Sequence, residues 1–270
     1  VATPGFINLW LDNSMWQNSL KETLNLSELI DCNIGNDLAV NVEYVSANPT
    51  GPLHVGHCRG AVFGDVLSNL LKKTGHKVTK EYYINDAGSQ INNLTNSVFI
   101  RYQEILGEKF SAYPDDFYPG DYLMPVAQHF ASTYGSKLLE MNESERFLLI
   151  KPFTINFMVN LIKEDLAALS IKQDIFVSEQ DLINDGKIDK AIATLQKSNL
   201  IYEGVLDPPK GKRPDDWEPR PQMLFRSTKY GDEVDRPLQK SNKEWTYFAN
   251  DIAYHFDKYQ RGSSHLIDIL

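Results

Sequence analysis

A chain of 270 residues, 42% hydrophobic and 23% charged, is an ordinary globular protein of one large domain or two small ones. Its net charge of −9 argues against polyanion binding over the whole surface, though not against a local basic groove. Cys32 and Cys58 lack metal-ligand spacing and suggest a reducing compartment without a disulfide framework. No apolar run approaches the ~18 residues of a membrane span, and no basic then apolar leader opens the chain.

In chain order, residues 6–11 read as a strand and 14–24 as a short helix. The opening "VATPGFINLWLDNSMWQ" reads like the end of a structured element, which suggests part of a longer polypeptide. "LAVNVEYVSA", 38–47, is a buried strand by its Val and Tyr content. The turn "NPTGP" follows, then a helix over about 55–74 whose Ala61, Val62, Val66, Leu67, Leu70 and Leu71 form one apolar face. Lys72 and Lys73 suit its last turn, and Gly75 its stop. "HKVTKEYYI" resumes a strand to Ile84, completing a βαβ unit with a parallel sheet. Helices are predicted over 90–106, 125–142 and 145–169, with the loop "YPDDFYPGDY" between the first two. "IKQDIFVSEQDL" is a strand and exit loop, and 187–199 a further helix. Residues 200–251 read as short β segments with Pro-rich turns and enough Arg and Lys for a polyanion-facing patch. A last helix over 252–261 leads to the strand "HLIDIL".

The chemistry concentrates in "NPTGPLHVGHCRGAVFGD", 48–65, beyond the strand and at the start of the helix. In a βαβ unit ligands bind there, and unpaired N–H groups at a helix N-terminus attract phosphate. His54 and His57, three apart, can aim two imidazole donors at one spot. Zinc would need further ligands, and neither H-E-x-x-H nor C-x-x-C is present. Both common phosphate loops, G-x-x-x-x-G-K-[ST] and G-x-G-x-x-G, are absent too. Spacing alone leaves packing and nucleotide binding both open.

"LHVGH" after "NPTGP" resembles the HIGH motif of class I aminoacyl-tRNA synthetases and related nucleotidyltransferases. The longer run "VNVEYVSANPTGPLHVGHCRGAVFGDVLSNLLKKTGHKVTKEYYINDAGSQI", with "YEGVLDPPKG", "LFRSTKYGDEVDRPLQKS" and "TYFANDIAYHFDKYQRG", resembles the bacterial arginyl-tRNA synthetases over nearly the whole chain. The resemblance implies an α/β fold: a Rossmann-like parallel sheet with a helical and β insertion, the connective peptide. Residues 1–35 would be the tail of an N-terminal tRNA-contacting domain and 36–91 the first half of the nucleotide-binding fold. The insertion would span 92–240, and 241–270 would return to the nucleotide-binding fold.

The implied activity is ATP-dependent ligation of L-arginine to tRNA(Arg) through an arginyl-adenylate, with ATP and Mg2+, in the cytoplasm and as a monomer. His54 and His57 would be the catalytic pair on the ATP phosphates and ribose, and adenine would lie on Gly56. Glu43 would pair with the substrate guanidinium, and Ser46 and Asn48 would hold the α-amino and carboxylate groups. A carboxylate in a Val/Tyr-rich strand favours such a planar bidentate partner. Tyr247 and Asp251 match the second guanidinium-binding pair, although Asp251 also suits an N-cap before Ile252. Tyr254 and His255 would line the pocket, and Asn85 and Asp86 sit in a segment beside it. No protein metal ligands are implied.

Two departures stand out. Gly51 occupies the place where some relatives carry a lysine before the motif, and no KMSKS-like string occurs in the 270 residues. The family also continues beyond "LIDIL", so these residues by themselves are expected to be inactive. A HIGH-type nucleotidyltransferase and a noncatalytic tRNA-binding paralogue are the rival readings. The long insertion and the Glu43/Asp251 pair count against the first, and the intact histidines count against the second.

Overall fold

The computed structural model describes residues 5–25, 33–206, 220–240 and 242–270. Its centre is β1 (Ala39–Tyr44), in which Val40, Val42 and Tyr44 are buried on one face and Asn41 on the other. Cover on both faces suits the middle of a parallel sheet. β1 pairs in parallel with β2 (Lys77–Ile84) and with β7 (His265–Ile269), and β2 pairs in parallel with β3 (Ile175–Ser178). The order is β3-β2-β1-β7, so the expected α/β parallel sheet forms. β3 lies inside the 92–240 stretch yet is an outer strand of this sheet.

The crossover from β1 to β2 is a helix, α2 (Val55–Lys73), as the βαβ reading requires. It closes at Thr74, and Gly75 follows at φ 87°, where glycine is the residue of least strain. The helix before it, α1 (Asn13–Asn25), matches the predicted short helix. The buried face of α2 differs from the prediction. Ala61, Gly64 and Ser68 are buried, whereas Val62, Val66 and Leu70 are 49%, 51% and 55% exposed. The cause is Tyr44: a Cβ on Gly64 would lie 2.2 Å from its Cγ, so only small residues let the helix this close to the sheet. Residues 6–11 likewise depart from the expected strand. Phe6, Ile7, Leu9 and Trp10 stay exposed, and no strand among the described residues pairs with them.

Four helices build a second core: α3 (Ser89–Ile105), α4 (Met124–Tyr134), α5 (Lys137–Glu140) and α6 (Glu143–Ala168). The single helix expected over 125–142 is broken at Gly135, φ 58°, into α4 and α5. Asn142 then caps α6, accepting from Glu145 N–H, while Glu145 accepts in return from the Asn142 backbone. Ile150 and Met158 of α6 pack with Leu94, Val98, Tyr102 and Phe130. Further along, Val159, Ile162 and Leu166 join the sheet core. One helix therefore belongs to both cores and fixes the helical layer against the sheet.

The remaining elements are α7 (Glu179–Asn184), α8 (Lys187–Lys197), a small antiparallel sheet of β4 (Ile201–Gly204), β5 (Gln222–Phe225) and β6 (Arg236–Pro237), and α9 (Tyr247–Gln260). They share a third core around Ile188, Ile192, Leu238, Ala249 and Ala253. The Pro-rich basic stretch 207–219, part of the expected polyanion-facing patch, lies outside the described residues. The helix predicted from 252 begins at 247, because the Thr246 hydroxyl accepts from Ala249 N–H and caps it there. That excludes the N-cap role for Asp251. No helix among the described residues is long and apolar enough to cross a membrane.

The two mid-helix glycines of α2 have opposite expected responses. Gly60 has nothing within 4 Å of an added Cβ, so Gly60→Ala should stabilise the protein by roughly 0.5–1 kcal/mol. Gly64→Ala should destabilise it by about 1–3 kcal/mol, since the backbone or the Tyr44 ring must move. Urea melts of both variants check this, and equal shifts would contradict the packing described.

Candidate active site

β1 stops at Tyr44 rather than running to 47, because the next two residues turn into left-handed backbone: Val45 at φ 72° and Ser46 at φ 38°. A β-branched residue rarely adopts this conformation, and such strain persists only where neighbours enforce it. Here they do. Ser46 Oγ donates to Glu43 Oε1 at 2.8 Å and accepts from Tyr83 N–H at 3.0 Å. Tyr82 donates its hydroxyl to the Ala47 carbonyl at 2.7 Å, and Asn48 donates to Gln90 at 2.8 Å. The helical layer takes the rest of the turn. Tyr122 donates to the Thr50 carbonyl at 2.9 Å, and Asp165 of α6 accepts from Leu53 N–H at 2.8 Å.

The turn delivers the chain to the start of α2, where the two histidines cap each other's backbone. Gly56 N–H donates to His54 Nδ1 at 3.1 Å, and His54 N–H donates to His57 Nδ1 at 3.2 Å. The rings stack with centroids 3.7 Å apart. An Nδ1 that accepts carries no proton, so these bonds assign the Nε2–H tautomer to both neutral rings. Burial first, and the neighbouring His54 second, push the His57 pKa below the usual histidine range and favour the neutral form. Two Nε2–H donors are then available at a helix N-terminus. Gly56 is needed for this: a Cβ there would sit 2.9 Å from His54 Cε1.

Around the same strand ends lie the carboxylates. Glu43 is already paired, since Lys258 of α9 donates to its Oε2 at 2.5 Å and Ser46 holds Oε1. The expectation of a free Glu43 carboxylate facing a guanidinium therefore meets an internal cation in this structure. Glu179, just past β3, is different. Asn250 donates to its Oε1 at 2.6 Å, while the buried Oε2 has no hydrogen-bond partner among the described residues. Burial first, then Asp86 and Asp251, push its pKa up. Asp251 is exposed as a residue, yet its carboxyl is partly desolvated and its pKa raised, with His255 opposing. The Tyr83 phenol feels Glu179, Asp251, Asp86 and Glu43, and with burial as the leading cause it stays protonated. Glu179, Asn250, Trp245 and the exposed Tyr247 line a cavity of about 480 Å³.

The structure thus gathers Glu43, Ser46, Asn48, His54, Gly56 and His57 on one continuous segment, from the end of β1 through the turn to the start of α2. Asp251 joins from α9 through the shared neighbourhood of Tyr83, and Tyr247 through the Glu179 cavity. Tyr254 is buried against Tyr83, ring centroids 4.2 Å apart, and His255 faces Asp268 at 3.8 Å. Asp86 accepts from Ser178 Oγ at 2.7 Å and from Gln180 N–H at 2.8 Å, bracketing Glu179. Sequence reasoning missed Glu179, Lys258 and Asp165. For Glu179 a signal existed: an acidic residue at the carboxyl end of a parallel strand stands where ligands bind.

Comparison with known proteins accords with this geometry. Residues 19–267 match the family described as tRNA synthetases class I (R), catalytic domain. The arginine–tRNA ligase of Rickettsia bellii (strain OSU 85-389) is 53% identical over 271 aligned residues, covering 100% of this chain and 47% of that protein. The arginine–tRNA ligase of Rickettsia conorii is 51% identical with the same coverage. The chain thus spans about half the length of the curated relatives it matches. A crystal structure assigned as a candidate arginyl-tRNA synthetase from Campylobacter jejuni superposes with TM-score 0.75 at 32% identity, covering 95% of this chain and 52% of that one. The Thermus thermophilus arginyl-tRNA synthetase, 21% identical with TM-score 0.56 over 92% of this chain and 39% of its own, shares the fold. With its parallel sheet, its two-histidine helix start and a match over residues 19–267, the chain belongs to the class I (R) tRNA synthetase catalytic-domain family.

Proposed function

We propose that the chain is the catalytic core of an arginine–tRNA ligase acting on L-arginine, ATP with Mg2+, and tRNA(Arg), as a cytoplasmic monomer. The observation that carries the reading is the pair of desolvated carboxylates, Glu179 and Asp251, unpaired with any lysine or arginine of the described residues. A buried carboxylate without a cation, here Glu179, is costly, and a planar guanidinium supplies several N–H donors at once to it and to the more exposed Asp251. The guanidinium goes to Glu179 and Asp251 with Tyr247 beside them, rather than to Glu43, which Lys258 already neutralises. The α-ammonium and carboxylate then extend to Glu43, Ser46 and Asn48. Tyr83 borders both ends: its N–H donates to Ser46, and its phenol feels the charges of Glu179, Asp251 and Glu43.

In the first step a carboxylate oxygen of arginine attacks the α-phosphorus of ATP, and pyrophosphate leaves. A terminal ribose hydroxyl of the tRNA then attacks the adenylate carbonyl, and AMP leaves. The Nε2–H groups of His54 and His57 face phosphate oxygens, where charge grows in the transition state, and the positive end of the α2 dipole favours that charge. Gly56 keeps this surface open to the nucleotide. The chain's residues act by placing reactants and stabilising charge.

ATP–pyrophosphate exchange by the intact protein, run with each amino acid and with or without tRNA, tests the assignment. Arginine should drive it and tRNA should be required; exchange with another amino acid sinks the reading. His54→Asn separates capping from catalysis, because asparagine caps helices well but lacks the imidazole Nε2–H. Exchange should fall by roughly 10²–10³ with a stability change within about 0.5 kcal/mol. Asp251→Ala and Glu179→Gln should each raise the arginine KM by about ten- to a hundredfold, with melting unchanged. Because both carboxyls are pushed up, their protonation begins at higher pH than for exposed carboxylates. The arginine KM should therefore climb as pH falls, starting above the ordinary carboxylate range.

A further inference from the structure

Lys258 lies in the last turn of α9 and is fully buried. Its ammonium donates to Glu43 Oε2 at 2.5 Å and to Asp268 Oδ1 of β7 at 2.6 Å, and it sits 4.4 Å from the centroid of the Tyr254 ring. Two carboxylates and a π face thus satisfy the three directions in which an ammonium can donate. The surroundings of Glu43 are otherwise acidic or neutral. β2 contributes Tyr83 and Glu81, with Glu81 neutralised by Arg261 at 2.8 Å. β7 contributes Asp268, with His255 on its far side. Tyr254 comes from α9 and Ser46 from the turn after β1. Lys258 is the one cation that reaches Glu43 among the described residues.

A buried lysine–carboxylate pair contributes little to stability compared with an apolar side chain of similar size, so folding alone does not account for it. What the pair does is geometric. Lys258 fixes Glu43, Glu43 accepts from Ser46, and Ser46 accepts from Tyr83 N–H, locking the left-handed Val45–Ser46 backbone that aims Asn48 and the histidine turn. We infer that Lys258 is a positioning residue: it holds Glu43 and the Val45–Ser46 turn in the geometry that receives the α-ammonium end of the amino-acid substrate. The inference rests on the proposed arginine ligation, and the wild-type control separates the two.

The test uses the intact protein with Lys258→Met, Lys258→Arg and the double variant Lys258→Met/Asp268→Asn, which keeps the net charge of the cluster. Wild-type exchange with arginine must be present first; its absence defeats the functional reading and not this one. Given that activity, both methionine variants should raise the arginine KM by about tenfold or more, with the ATP KM within about twofold. Inhibition by n-butylguanidine, which has a guanidinium but no α-ammonium, should stay within about twofold of wild type in these variants. Lys258→Arg, which preserves the charge, should restore the arginine KM to within about threefold of wild type. An unchanged arginine KM overturns the inference. So does an equal loss for arginine and n-butylguanidine, or a double variant that no longer folds, since each assigns Lys258 to general structure.

Discussion

The backbone reversal at Val45 and Ser46 is the constraint on which the site depends. Each residue in left-handed conformation costs about 1–3 kcal/mol, and valine there has no intrinsic reason to stay. The cost is offset by bonds from three directions: Glu43 within the strand, Tyr83 from the neighbouring strand, and Tyr82 on the Ala47 carbonyl. Relaxed into extended backbone, the chain would continue β1 past the sheet end. The histidines would then start their helix elsewhere.

Everything downstream of that reversal is pinned by a different layer. Tyr122 and Asp165, both from the helical part, hold Thr50 and Leu53. α6 carries Asp165 and is packed into both cores, so the helical layer buttresses the turn between β1 and α2. The sheet, in turn, brings carboxylates to the same end from β1, from the loop after β2, and from the residue after β3. This is the usual advantage of parallel strands: their carboxyl ends collect side chains far apart in sequence.

The electrostatics divide the carboxylates into two groups. Glu43 and Glu81 have internal cations, Lys258 and Arg261, that fix them in place. Glu179 and Asp251 have no lysine or arginine partner among the described residues, and desolvation raises their pKa values. A group kept ionisable at a cost is a group waiting for a partner. Under the proposed function this distinction directs the guanidinium to Glu179 rather than Glu43, which neither spacing nor composition distinguishes.

Local chemistry was legible in the sequence wherever a short-range signal decides the outcome. The Val- and Tyr-rich β1, the cap-and-stop pattern of α2, the βαβ crossover and the pair His54/His57 all follow from side chains within a few residues of one another. Predictions failed where a neighbour from afar decides. Tyr44 against Gly64 rotated the buried face of α2 in this way, whereas the break at Gly135 and the Thr246 cap of α9 are local signals that apolar periodicity overrode. The sequence by itself determined the fold class and the turn that leads into the paired histidines of α2, because periodicity and caps act locally. Only the tertiary structure decided which carboxylate is free. That depends on whether Lys258, 215 residues from Glu43, folds back onto it, and charge pairing across that distance leaves no local trace.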